Sequence, residues 1–460
     1  MYQINTDYYD GAPMVTGCSI APGASFTYVI NTGQQVGSFW IHGHYYGHLE
    51  DGLRAPFIIH EKQHPIGYDE EILFYLEDWA QQTFEDRMAE YDQKTPGHLP
   101  SFYPTVLING IDGNLTRPIT FVPGKKYRIR VISMSASFWF RFSIPGHKMQ
   151  VIEADGIAAK PLEVDGLDLG PGQRRSAIVT AHNSHAFNYL YNVTLYANFA
   201  NPFPGLLPRH YSGSVIYNSA APTKVPTISQ GQMVWCNAID MQVQDQSPLY
   251  PVTRQIVWTI KERSLGHGIP YYTFNDFAYN QTKVPTLFTA LTMGKLAFNS
   301  SVYGPQSQTF VVKYGESIEI LINNPGTKDH TIHLHMMDYQ LVEVGPLGNA
   351  EANNKPPVKL QKSGPYPMRL DSATLRAFSY IKIRFPVNRG FIALAHCHLE
   401  THMEHGLRAT IVAAPDLLQK HIRLPQEAID LCKLQGISVS GNAAGNQRFD
   451  LDGLPPAIPI

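Results

Sequence analysis

Histidines separated by a single residue recur at three widely spaced places in the chain: His42-Gly-His44, His333-Leu-His335 and His396-Cys397-His398. In an extended strand successive side chains alternate between faces, so each pair shares one face while Cys397 points away from His396 and His398. One peptide can then serve two metal centres, a thiolate on one side and imidazoles on the other. A lone pair is as readily a surface feature as a site. Three pairs, in 460 residues that include 19 histidines and only 4 cysteines, point to metal chemistry mounted on strands. His330 stands just before the second pair; His402, Gly406 and Leu407 follow the third.

Donor chemistry narrows the metal. One thiolate with two imidazoles and a weak or absent fourth ligand is the set blue copper uses for outer-sphere electron transfer, whereas structural zinc usually takes four strong ligands. The surplus histidine pairs suit a coupled copper cluster, with zinc as the alternative.

The rest of the chain reads as all-β. Three segments repeat an apolar run, a turn containing glycine and alternating residues: 18–30, 119–131 and 310–322. Tyr127, Ile129 and Val131, like Ile318, Ile320 and Ile322, recur at period two, so each segment reads as a hairpin or corner with one buried face. Recurrence at large spacing points to repeated Greek-key sandwiches or barrels. The expected units are 1–63, 64–220 and 251–415, with 221–250 as a connection and 416–460 as an extension whose helix opens at Pro425 and ends near Gly436. Hydrophobic content of 43% excludes wholesale disorder, and a net charge of -2 without basic clusters excludes nucleic acid as a partner. No run approaches the about 20 apolar residues of a membrane span. Four sequons, at Asn114, Asn192, Asn280 and Asn299, fit an exported glycoprotein of the cell exterior or wall, although the first residues lack a signal peptide.

These motifs resemble, along essentially the whole chain, multicopper oxidases of the fungal laccase and iron-transport type, whose signatures are Trp-x-His-Ser-His, His-Pro-x-His-Leu-His-Gly-His and His-Cys-His-x-x-x-His-x-x-x-Gly-(Leu/Met). The resemblance implies three cupredoxin domains. It also implies type 1 copper held by His330, Cys397 and His402, with Leu407 at the non-bonding axial position. Type 2 copper would use His333, and the type 3 pair His42, His44, His335, His396 and His398. Electrons from an organic reductant would enter at His402 or His330 and pass from Cys397 to its neighbours His396 and His398. Four of them reduce dioxygen to two waters. Glu400 sits where the family has a carboxylate proposed to supply protons. Cys18 resembles a cysteine bridged to one in the extension, here Cys432, which leaves Cys236 unpaired. The middle unit, with His147 but no imidazole pair, reads as a copper-free spacer in a monomeric enzyme.

The chain departs from the family in ways that carry expectations. The family's first His-x-His-Gly, which supplies one type 2 and one type 3 ligand, has no counterpart, and Met1 falls directly after its place. The first barrel therefore reads as incomplete and the chain as beginning inside a longer protein; the alternatives are a defective enzyme or a non-catalytic copper glycoprotein. Thr331, Met336 and Met337 replace the Pro, Gly and last His of the second signature, and Met336 is expected to crowd the cluster. Where yeast-type ferroxidases place acids around type 1 copper, this chain has Pro145 and Gly326. Neutral residues cannot hold iron by charge, so the expected reductant is phenolic, with ferrous ion as the alternative and Asp329 as a group that could serve either.

Overall fold

The computed structural model describes residues 3–62, 66–93, 105–197, 209–226, 232–264, 270–348 and 358–459. Two sandwiches dominate it. In the first, a seven-stranded sheet with Lys126–Ser133 and Arg174–Thr180 near its centre faces a six-stranded sheet built around Trp139–Ser143 and Tyr189–Tyr196. In the second, a seven-stranded sheet centred on Ser317–Asn324 and Ser379–Pro386 faces a five-stranded one. The order of that five-stranded sheet is Thr309–Val312, Arg408–Ala413, Phe391–Cys397, His330–Leu334 and Ser372–Leu375. These are cupredoxin-like all-β sandwiches, as the period-two pattern implies.

Two of the repeated segments are corners. Ile119–Thr120 lies in one sheet and Lys126–Ser133 in the other; Thr309–Val312 and Ser317–Asn324 divide in the same way. Gly124 at φ +79° and Gly315 at φ +83° make the crossings, in the left-handed region that glycine enters without steric cost. Tyr127, Ile129, Val131, Ile318, Ile320 and Ile322 all point into the cores. The first segment behaves differently. Residues 18–30 form no strand, and Tyr28 and Val29 are 45% and 59% exposed, because among the described residues no strand pairs with them. From this part of the chain only Gly37–His42 and Arg54–Ile59 form a sheet, two-stranded and antiparallel.

The Gly37–His42 strand is fastened to the first sandwich by charge. Glu153 accepts from the Ser38 N–H at 2.7 Å and pairs with Arg128 at 2.6 Å and Arg130 at 3.1 Å. Burial pushes the Glu153 carboxyl up, but the two guanidiniums together with the hydrogen bonds from Ser38 outweigh it and hold the group below its ordinary value. Arg128 and Arg130 alternate with Tyr127, Ile129 and Val131, so the outer face of this sheet is a buried ionic layer.

Trp235–Cys236, inside the stretch read as a connection, pairs parallel with Gly166–Leu169. Cys236 is buried with Sγ 3.7 Å from Met241 Sδ. The boundary expected near Gln63 lies outside the described residues. The tail helix spans Gln426–Leu434 after Pro425, and Gly436 follows at φ +70°. Cys432 on this helix is bridged to Cys18. Asn114, Asn280 and Asn299 are exposed, while Asn192 lies mid-strand, half-buried, with its amide oxygen accepting from Ser212 Oγ at 2.8 Å. His147 is a buried, hydrogen-bonded residue, 2.7 Å from Tyr217 Oη.

Two outcomes follow. Cys432→Ser opens a loop of 414 residues, and thermal unfolding should show a loss of about 2–5 kcal/mol. Glu153→Ala removes one of the two carboxylates paired with each of the buried Arg128 and Arg130, leaving Glu61 and Glu71, and frees the Ser38 N–H; it should cost about 1–3 kcal/mol in the same measurement. A wild-type melting temperature in either variant contradicts the assignment.

Candidate metal centres

Two adjacent strands position the donors. His330–Leu334 pairs antiparallel with Phe391–Cys397, placing Ile332 opposite Cys397 and His333 opposite His396. The chain then turns into a short helix, Glu400–Glu404, which returns His402 to the Cys397 side. There Cys397 Sγ lies 3.4 Å from His330 Nδ1 and 3.7 Å from His402 Nδ1, and the two nitrogens are 3.1 Å apart. All three side chains are buried. Leu407, also fully buried, offers no donor atom, while its carbonyl accepts from the Cys397 N–H at 3.1 Å.

This triangle fits a soft cation. Burial lowers His330 to about 3 and, with His330 beside it, holds His402 well below its ordinary value, so both imidazoles are neutral and offer lone pairs. Burial pushes the Cys397 thiol up to about 12, so a thiolate here needs a metal cation beside it. Three converging donors with no fourth strong ligand among the described residues match the copper set rather than the zinc set. The Tyr272 ring covers His402 at 4.3 Å between centroids. Lys328 Nζ reaches the Tyr272 hydroxyl at 2.5 Å and Glu262 at 3.0 Å. Asp329 is buried, accepts from the Ala377 N–H at 2.8 Å and lies 3.8 Å from Arg376.

On the other side of the sheet six imidazoles meet. His44, His335 and His396 direct ligand atoms to within 4.8 Å of one another, with Nε2 of His396 3.1 Å from that of His335 and 3.4 Å from that of His44. His42 and His333 flank His398, their ring centroids 5.4 and 5.6 Å from it. Four of the rings are oriented through Nδ1. Its partners are the Asp10 carboxylate for His335 at 2.9 Å, the Asp371 carbonyl for His333 at 2.8 Å, the Cys397 carbonyl for His396 at 2.9 Å and the Gly43 carbonyl for His42 at 2.9 Å. This is the arrangement by which outer groups hold metal-binding histidines with Nε2 free. Burial, and after it neighbouring imidazoles, lower His42 to about 4 and His44, His396 and His398 well below the ordinary value; burial likewise takes His333 to about 3.

Glu400 is no surface residue. It is buried, its Oε1 accepts from the Gly47 N–H at 3.1 Å, and burial, with Glu404 and Glu50 nearby, raises its carboxyl well above the usual range. Met336 stands at φ +62°, the left-handed region that favours the glycine it replaces, with its side chain in the core. Sequence reasoning missed Asp10, Asp371 and Tyr272 as neighbours of the donors. Asp10 lies in the Tyr8-Tyr9-Asp10-Gly11 stretch near the start of the chain, and nothing local marks any of the three.

Comparison with known proteins agrees with this geometry. Models of the multicopper oxidase family match residues 1–64, 70–208 and 279–416. The chain is 31% identical over 464 residues to the iron transport multicopper oxidase FET3 of Gibberella zeae, covering 98% of this chain and 72% of that protein. It is 32% identical over 478 residues to the iron transport multicopper oxidase fio1 of Schizosaccharomyces pombe, covering 99% and 73%. Among solved structures it resembles Fet3p, a multicopper oxidase that functions in iron import, with TM-score 0.90 and 27% identity over 99% of this chain and 87% of that one. The laccase of Botrytis aclada shares the fold, with TM-score 0.73 and 24% identity over 95% of this chain and 80% of that one. The three matched segments and the relatives that span nearly its whole length place this chain in the multicopper oxidase family, whose cofactor is copper.

Proposed function

We propose that this chain withdraws single electrons from ferrous ion at the His330–Cys397–His402 centre and passes them to dioxygen at the imidazole cluster. Copper supplies the one-electron change at the first centre and the reduction of dioxygen at the second. The observation that carries the reading is the continuity of Cys397 with His396 and His398: one thiol ligand and two cluster imidazoles are consecutive residues, so the route between centres is a few covalent bonds long. His330 and His402 hold the entry copper and Cys397 connects it inward. His44, His335 and His396 form one complete three-imidazole position, with His42, His333 and His398 beside it. Glu400 holds a proton on a carboxyl fixed by the Gly47 N–H, on the chain segment between the two centres.

Likeness to iron-transport oxidases along nearly the whole chain supports ferrous ion over the phenol expected from Pro145 and Gly326. A second reading, an organic diphenol, is favoured by the charges at the entry. Lys328 is paired with Glu262 and Arg376 lies beside Asp329, so the acids there are compensated and leave no excess negative field for a cation. The Cys18–Cys432 disulfide supports an oxidising, extracellular setting. No helix among the described residues is long and apolar enough to cross a membrane.

Anaerobic mixing of the copper-loaded chain with each reductant separates the two readings, because bleaching of the blue absorption reports electron entry alone. Ferrous ion should bleach it at least about tenfold faster than hydroquinone, a difference of about 1.4 kcal/mol in barrier; faster bleaching by hydroquinone transfers the conclusion to the diphenol. Cys397→Ser should fold but show no blue absorption. If Glu400 delivers protons, Glu400→Gln should keep the blue absorption and its bleaching rate while slowing reoxidation by dioxygen about a hundredfold; unchanged reoxidation removes that role.

A further inference from the structure

The 170–173 loop joins Gly166–Leu169 to Arg174–Thr180 in the middle sandwich and contains no metal donor. It nevertheless lies against the imidazole cluster. Gly172 has φ +82°, and a Cβ there would stand 2.5 Å from His398 Cδ2, so glycine alone lets the ring approach. Gln173 donates to the Ser372 carbonyl at 3.0 Å. Arg174, 3% exposed, forks onto Asp371 with two bonds of 2.7 Å. Its Nε donates to the Ser38 carbonyl at 3.0 Å and its Nη1 to the Gly172 carbonyl at 3.1 Å. One guanidinium thus joins the strand that carries His42, its own sandwich and the residue preceding Ser372–Leu375.

From Asp371 the hydrogen bonds continue to His333. Ser372 Oγ donates to Asp371 Oδ1 at 2.8 Å and lies 3.1 Å from His333 Nδ1, while the Asp371 carbonyl lies 2.8 Å from the same nitrogen. The carbonyl has no proton to give, and the hydroxyl proton is committed to the carboxylate. His333 therefore carries its proton on Nδ1 and presents the Nε2 lone pair to the cluster.

We infer that Arg174 is a positioning residue for the copper site at His333. By fixing Asp371 and Ser372 it sets the tautomer and ring orientation of His333; by holding Ser38 it sets the His42 strand against the same site. The middle sandwich, expected to be a spacer, thereby orients ligands it does not contain. The inference rests on the reading of His333 as a copper ligand. Lysine cannot replace the fork, because a single ammonium cannot bond both Asp371 oxygens and Ser38 with the same geometry.

Arg174→Lys and Asp371→Asn in the full copper-loaded chain test it, with three readouts: copper per chain, blue absorption, and the electron paramagnetic resonance of copper outside the blue site. Both variants should retain the blue absorption, bind cluster copper about 10–100-fold more weakly and show altered hyperfine splitting of that copper. Parent-like affinity and spectra in both variants overturn the inference and leave the blue centre's assignment standing. Loss of blue absorption in step with cluster copper also overturns it, since Arg174 would then serve only the fold. A parent chain that holds copper at the blue centre alone overturns His333 as a ligand, and the inference with it.

Discussion

The pairing of His330–Leu334 with Phe391–Cys397 is the constraint on which both candidate centres depend. With Ile332 opposite Cys397 and His333 opposite His396, a slip of one residue would send every donor to the wrong face. The sheet therefore acts as a partition: the thiol and its two imidazoles lie on one side, the imidazole cluster on the other, and the strand itself is the connection. Burial supports the same division. It makes neutral imidazoles and a protonated thiol the low-energy forms in the absence of a cation, so each centre is a set of desolvated donors for which a metal ion is the natural partner.

The cluster is assembled from segments far apart in the chain, and buried charge as well as apolar packing holds them together. Glu153 with Arg128 and Arg130 anchors the strand carrying His42, and Asp10 reaches from the start of the chain to His335. Buried ion pairs contribute little net stability compared with apolar packing. Their value here is geometric: they hold candidate ligands from several segments in one arrangement.

Much of this was legible in the sequence, for identifiable reasons. Period-two alternation located Lys126–Ser133 and Ser317–Asn324, one inner strand in each sandwich, and the glycines at 124 and 315 marked the corners. Pro425 and Gly436 bounded the tail helix. The resemblance supplied the Cys18–Cys432 bridge, which no spacing argument could. Residues 18–30 carried the same local pattern as the true corners yet form no strand, because a strand is fixed by its neighbours and not by its own alternation. The division of the imidazoles was also hidden. The complete group takes one histidine from each pair, His44, His335 and His396, a selection that spacing along the strand does not make, since the rings of His333 and His335 lie as close, 4.9 Å between centroids, as those of His44 and His335 from different strands. Asp371 and Tyr272 escaped notice because their roles arise from packing across more than 30 residues of chain, with no local motif to mark them.

Diffraction at the copper absorption edge from crystals of the copper-loaded chain would settle the division of labour across the sheet. Anomalous density is expected on both faces of the sheet, bonded to His330 Nδ1, Cys397 Sγ and His402 Nδ1 on one and within the cluster of His42, His44, His333, His335, His396 and His398 on the other. Copper confined to one face, or bound by residues outside these groups, would contradict the arrangement in which Cys397 joins two centres.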